Sequence, residues 1–323
     1  MRTFLSYCAG VLLLCGFTAN MNAQNIFSIS DYNKSTRSLG MGGVSSAMDA
    51  NAFSIYDNAS KAAFSEKRLE AGFQYSPWAK NLTDGMDRDN LLLNFAGYYS
   101  LNASHKLLLG VSHFTLGGNK MFEMDDQGNV IGDELKPKFF TISAGYAGKL
   151  SDEWGLGAVL NYSMLNLGVG DKISALSVDL SATRRWNFSS ADYLDISARA
   201  AGWGGALSQG SDYKLPGYLT VSGLYNKSFQ EKHTLRTGVD LGVRCLNEST
   251  FKASAGLEYI FNETLFLRGG YSFNSTDNEE NGFASFGAGL RVFKTVQVDA
   301  SYLLAGDESP LKNTFMVGLN VMF

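Results

Sequence analysis

From Arg68 to the C-terminus the chain falls into segments of about ten residues in which apolar and polar side chains alternate, and nothing else in it restricts the fold so narrowly. Leu235, Thr237, Val239, Leu241, Val243 and Cys245 alternate with Arg236, Gly238, Asp240, Gly242 and Arg244. The next segment sets Phe251, Ala253, Ala255, Leu257, Tyr259 and Phe261 against Lys252, Ser254, Gly256, Glu258 and Ile260. A period of two places each set on its own face of a β-strand. Alternation alone fits a soluble sandwich as well as a membrane barrel.

The number of segments and the connections between them separate the two. Candidate strands start near Arg68, Asn90, Lys106, Lys138, Gly155, Ser174, Tyr193, Leu215, Thr234, Phe251, Leu265, Gly282, Val296 and Asn313, fourteen in all. Long or polar connections (76–90, 117–135, 167–173, 203–214, 274–281, 305–312) are interspersed with short turns (102–105, 151–154, 262–264, 294–295). An even strand number with long loops on one side and tight turns on the other is the bacterial outer-membrane pattern. The expected fold is therefore all-β, a transmembrane antiparallel β-barrel of about fourteen strands over residues 68–323.

Phe140, Ile142, Ala144 and Tyr146, Leu176, Val178 and Leu180, and Phe315, Val317, Leu319, Val321 and Phe323 are expected to face lipid, with Cys245 continuing its own apolar series. Trp154, Trp186, Tyr193, Phe261 and Phe293 lie next to short turns, where an aromatic girdle meets the headgroups. In the third strand Leu107, Leu109 and Val111 give way to Phe114 and Leu116, so a bulge or strand end is expected there. Phe323 resembles the terminal aromatic by which outer-membrane barrels are recognised for insertion.

Composition supports strands: Gly 35 against Pro 4, aromatics at 13% and charged residues at only 18% describe a strand-rich, turn-rich chain. Beyond the first twenty residues no uninterrupted apolar run is long enough to cross a bilayer as a helix. At the N-terminus, Arg2 precedes an apolar stretch (4–17), and Met21-Asn22-Ala23 precedes Gln24. Residues 1–23 read as a secretory signal peptide cleaved between Ala23 and Gln24. Losing Arg2 leaves 26 basic residues against 31 acidic ones, a net charge of about −5 that argues against nucleic acid as a partner.

Cys8 and Cys15 leave with the signal peptide, so the remaining Cys245 can form neither an intramolecular disulfide nor a cysteine metal site. His105, His113 and His233 lack ligand spacing, and no nucleophile elbow or other catalytic constellation stands out. Asp125-Asp126-Gln127-Gly128-Asn129 lacks the ligand spacing of a calcium loop and reads as a turn. No metal, no cofactor and no enzymatic activity are expected.

Residues 24–67 do not alternate, yet they carry Ile26, Phe27, Ile29, Leu39, Met41, Val44, Met48, Phe53, Ile55, Tyr56 and Phe64. The lumen of a fourteen-stranded barrel is wide enough to bury them, which makes this segment a hatch or plug. On the lumen parity, Arg185, Arg199, Arg236, Arg244, Lys252, Arg268 and Arg291 stand against Glu70, Asp179, Asp195, Asp240, Glu258 and Asp299. Mixed signs favour a mutually neutralised interior that anchors the hatch over an anion or carboxylate site.

Within the hatch, Arg37-Ser38-Leu39-Gly40-Met41-Gly42-Gly43-Val44-Ser45-Ser46-Ala47, followed by Tyr56-Asp57-Asn58-Ala59-Ser60, resembles the opening of FadL-type transporters and of the PorV/PorQ proteins of the type IX secretion system. Arg37, Gly40, Met41, Gly42, Gly43 and Asn58 carry the likeness, and Ala59 departs from it where the family commonly has proline. Length and compact loops are more PorQ-like. The resemblance implies a place among outer-membrane lipid and one of two roles. The first is docking of secreted cargo or surface-attachment partners of type IX secretion. The second is FadL-like passage of a small hydrophobic molecule, with Gly269-Gly270 as a place where the wall could open.

Overall fold

The computed structural model describes residues 34–119, 121–124, 127, 130–168, 172–207, 215–230, 232–245, 250–275 and 282–323. The proposed cleavage site at Ala23 and Gln24, the hatch residues Ile26, Phe27 and Ile29, and the 125–129 turn apart from Gln127 lie outside them.

Strands β1 (Leu69–Ser76), β2 (Leu91–Ser100) and β3 (His105–Thr115) are followed by a short hairpin, β4 (Met121–Met124) with β5 (Val130–Leu135). Next come β6 (Lys138–Lys149), β7 (Trp154–Asn166), β8 (Ile173–Asn187), β9 (Tyr193–Ala206) and β10 (Tyr218–Phe229). The chain continues through β11 (His233–Arg244), β12 (Thr250–Phe261), β13 (Leu265–Asn274), β14 (Gly282–Val292), β15 (Val296–Leu304) and β16 (Phe315–Met322). Apart from β4 and β5, which form a separate two-stranded sheet, these strands make a closed barrel of fourteen, sealed by antiparallel pairing of β1 with β16 from Glu70↔Met322 to Tyr75↔Val317. The 117–135 connection is thus a loop with a hairpin inside it.

Closure leaves no unpaired edge and satisfies the backbone groups that lipid cannot. The parity follows the alternation: Val239 and Leu241 are exposed on the outer surface, while Gly238 and Asp240, which alternate with them, are buried in the lumen. The expected lipid-facing residues share the outer face, with Phe140 and Val321 half-buried among their neighbours. At the short-turn end, Trp154 and Trp186 flank Arg184, which stacks on both rings. Asn262-Glu263 and Phe293-Lys294 both take positive φ in two-residue turns, matching the twist of a tight hairpin.

Two expectations, for Tyr193 and Cys245, are corrected, and that for the third strand is met by its second alternative: β3 contains no bulge, pairing in unbroken register with β2 and β6, and ends at Thr115, between Phe114 and Leu116. Phe114 points inward because the lumen itself is apolar near the long loops: Leu92, Phe114, Phe139, Leu165, Phe283, Leu303 and Met316 form a buried cluster with Leu39 of the hatch. Tyr193 belongs to the lumen and not to the girdle, since its hydroxyl donates to Asp49 at 2.5 Å. Cys245 lies one residue past β11 and is buried, its N–H donating to the Gly217 carbonyl at 2.7 Å, because the alternation ends with the strand. In the barrel, the register shift is at β8–β9, between Val178 and Leu180.

The hatch enters this lumen as α1 (Thr36–Gly40), α2 (Ser54–Asp57) and a 3-10 turn (Ala59–Phe64). Helices of five and four residues are too short to persist alone, so packing must hold them. Met41, Val44, Ala47 and Met48 pack on Leu224 of β10, and Phe53, Ile55 and Tyr56 on Tyr98, Leu108 and Val159 of the opposite wall. Each such fully buried side chain contributes roughly 1.5–3 kcal/mol.

Candidate functional site

Two features of the lumen are built from charged and polar groups: the seat of the hatch, and a vestibule between the hatch and the long loops. The seat starts at the glycine-rich turn after α1. Gly42 has a φ of +70°, a left-handed conformation that glycine adopts without cost. The wall answers with Gly256 on β12 and Gly270 on β13, where a Cβ would overlap the Met41 carbonyl. Gly40 lies similarly against Gly287 of β14, and Gly43 faces Phe283 and Ser254.

Arg37, projecting from α1, reaches Glu258 of β12 with Nε at 2.9 Å and Nη2 at 2.5 Å from the two carboxylate oxygens. Glu258 also meets Arg236 at 3.1 Å and Arg268 at 2.8 Å, and Arg268 continues to Asp299 at 2.6 Å. Asp49 of the hatch lies 3.0 Å from Arg236 and 3.5 Å from Arg185. Arg185 pairs with Asp195 at 2.7 Å, and Asp195 with Lys61 of the hatch at 2.9 Å. Arg236, Glu258, Arg268 and Asp299 thus join one network with Arg37, which threads between hatch and wall. Burial penalises the Asp49 carboxylate, but Arg236, Arg37, Lys61 and Arg185 together hold it well below the usual range.

Asp240 holds the hatch differently. Its carboxylate accepts from the backbone N–H groups of Ser45 at 2.7 Å, Ser46 at 2.8 Å and Ala47 at 3.1 Å, three successive amides that make an anion-binding nest. Asn58 caps the 3-10 turn, its Oδ1 accepting from Ser60 N at 3.1 Å while its Nδ2 donates to the Ser46 carbonyl at 2.9 Å. Ala59 is the first residue of that turn, where no N–H is needed and proline is favoured, so alanine fits the same geometry.

The remaining lumen residues stand apart from the seat. Arg199 pairs with Asp179 at 2.7 Å, and Arg244 accompanies the Tyr218 hydroxyl at 3.0 Å. Arg291 lies toward the short turns, donating to Gln297 at 3.0 Å and lying over the Phe266 ring. Asp49 and Lys61 complete the network but are not distinguished by sequence, because the hatch has no periodicity to assign them a face. A rule that buried charges need partners would have marked both, since each lies in the segment that the lumen is expected to bury.

The vestibule is a cavity of about 460 Å³ floored by the hatch at Ser45, Tyr56 and Asp57. Its wall carries Asn161, Asp179, Arg199 and Thr220, and Arg244, Lys252 and Asn274 border it toward the long loops. Among the described residues no group of three or more His, Cys, Asp or Glu is placed to hold a metal ion.

A family model described as type IX secretion system protein PorV matches residues 25–201, more than half of the chain. No curated protein matches. Among solved structures, the toluene transporter TodX of Pseudomonas putida superposes with a TM-score of 0.62 at 12% identity, covering 90% of this chain and 99% of TodX. The toluene transporter TbuX of Ralstonia pickettii gives 0.52 at 11% identity over 92% and 98% of the two chains. A FadL homologue of Pseudomonas aeruginosa gives 0.51 at 12% identity over 89% and 97%. At such identities the likeness establishes the fold.

Proposed function

Because this chain belongs to the PorV family of type IX secretion proteins and is an outer-membrane β-barrel, we propose that it docks secreted cargo or surface-attachment partners on its long-loop side while the hatch stays seated. The observation that carries this reading is the anchorage of the hatch. Arg37, Asp49 and Lys61 are paired to the wall, Asp240 grips three hatch amides, and the turn at Gly40–Gly43 lies on a glycine track. The role is binding and not catalysis. Residues 1–23 are a signal peptide in the same reading, so mass spectrometry of membrane-extracted protein should find Gln24 at the mature N-terminus, and a mature chain containing Cys8 or Cys15 would refute it.

Passage of hydrophobic molecules, the role printed for TodX as a toluene transporter, has less support here. The vestibule is bordered by charged and hydroxyl side chains. Gly269 and Gly270 lie in continuous pairing with β12 and β14, and Gly270 is covered by the hatch, which disfavours an opening at that point. Affinity purification of the tagged full-length protein in mild detergent tests the choice. Docking predicts recovery of large secretion partners. Recovery of the barrel alone with an apolar molecule in its lumen would favour transport.

A further inference from the structure

At the end of the barrel opposite the long loops, two neighbouring short turns enclose a cleft: Asn262-Glu263 between β12 and β13, and Phe293-Lys294 between β14 and β15. The seam of β13 and β14 runs between them, with Leu265 opposite Leu290 and Arg291 N donating to the Thr264 carbonyl at 2.8 Å. The cleft is amphipathic. Leu290 and Val292 line it on the lipid-facing parity, and Phe293 beside them is 89% exposed, the most of any large apolar side chain among the described residues. Glu263, Arg291 and Lys294 supply its charges. Other charges at this end are paired, Lys149 with Asp152 at 2.9 Å, Arg184 with Glu153 at 3.1 Å and Lys227 with Asp192 at 2.5 Å. Here they are not. Arg291 spends Nε and Nη2 on Gln297, while its Nη1 stands 4.0 Å from Glu263, beyond hydrogen-bond length. Lys294 has no hydrogen bond or ion pair among the described residues.

We propose that this cleft binds the headgroup of an anionic phospholipid of the periplasmic leaflet, its phosphate between Arg291 Nη1 and Lys294 Nζ and its chains along Leu290 and Val292. Short turns of an outer-membrane barrel lie at that leaflet's headgroups, where an aromatic ring such as Phe293 meets the acyl boundary. Two cations against one carboxylate leave a single positive excess, which one phosphodiester neutralises through charge-assisted hydrogen bonds. A head that adds an ammonium restores the excess, so the fitting lipid is of the phosphatidylglycerol kind, with an uncharged alcohol beyond its phosphate. Lipid fits better than a protein segment because the apolar side of the cleft is continuous with the face that β14 already turns to the bilayer. The site stands or falls independently of docking, which belongs to the other side of the membrane.

The test is native mass spectrometry of the purified full-length protein in detergent, titrated with dimyristoylphosphatidylglycerol and, separately, with dimyristoylphosphatidylcholine. The first should be held about fivefold or more tightly than the second, the scale of one basic residue at an anionic membrane surface. Lys294→Gln should remove that preference, Glu263→Gln should increase it, and Lys149→Gln, at a turn outside the cleft, should leave it unchanged. Glu263 and Lys294 are exposed turn residues, and the opposite signs expected of them cannot both come from a folding defect. Equal retention of the two lipids, a loss with Glu263→Gln, or as large a loss with Lys149→Gln as with Lys294→Gln overturns the proposal, the last by revealing a diffuse attraction to the cations of this rim. Glycerophosphoglycerol, the same head without chains, should not displace the lipid at equal concentration. Displacement would mark a site for a soluble phosphodiester and overturn the lipid assignment.

Discussion

Glu258 touches three arginines from two directions, Arg37 on the hatch and Arg236 and Arg268 on the wall, and is fully buried. Glu258→Gln would leave those guanidiniums short of a counter-charge, which for a broken buried pair costs about 3–5 kcal/mol. Equilibrium refolding into lipid vesicles measures it, and a loss under about 1 kcal/mol, the range of an exposed pair, would mean that the network is solvated. Asp57, on the hatch and outside the spanning strands, behaves in the opposite sense. Burial raises its carboxyl to about 7, with Asp240 adding to the rise and Arg199 opposing it. The folded state then keeps a proton that the unfolded chain releases near pH 4, so this group's stabilisation is complete below about pH 4 and is lost as pH climbs through about 7. The stability of Asp57→Asn relative to the parent should therefore rise between pH 4 and pH 8, and a constant difference would contradict the assignment. The lumen parity of Glu258 is legible in its strand, but its partner Arg37 lies 221 residues away, and only the closed topology joins them.

Strands are the most legible elements because a period of two survives in the sequence whatever lies beyond each face. All fourteen barrel strands begin within a few residues of where alternation places them, from Leu69 to Phe315. Phe114 misleads for a physical reason: the alternation rule takes the lumen as polar, whereas the ends of the strands near the long loops close on an apolar cluster. The hatch is harder to read, since its short helices owe their form to the wall they meet and not to any pattern of their own. The inside-outside assignment of β11 has a direct test. Val239→Arg on the exposed face should cost about 2–4 kcal/mol on folding into vesicles, the range for a basic residue near the bilayer midplane. Folding indistinguishable from the parent would reverse the strand. Gly238, its inward neighbour, is not the neutral control that alternation suggests, because a Cβ there would come 2.9 Å from Val44 of the hatch.

Across the whole molecule, a membrane barrel exposes its apolar side chains to lipid and turns its charges inward, and here the inward charges are mostly spent on fixing the hatch. That arrangement differs from a channel in what has to move. A conduit through this lumen requires the hatch to leave a seat made of buried ion pairs and a glycine track, while docking on the long-loop side requires only that the seat hold. The fold and the lumen charges were accessible from periodicity, but the choice between these roles depends on contacts between segments that no local pattern specifies. Locking the hatch separates them. Val44 and Gly238 lie close enough for a disulfide to be introduced as Val44→Cys with Gly238→Cys, in a Cys245→Ser background that removes the native thiol. The measurement is recovery of secretion partners from cells carrying the locked protein, compared with the same protein after reduction. Recovery equal in the two states is the result predicted for a docking barrel with a fixed hatch, and partners recovered only after reduction would contradict it by showing that the hatch must move.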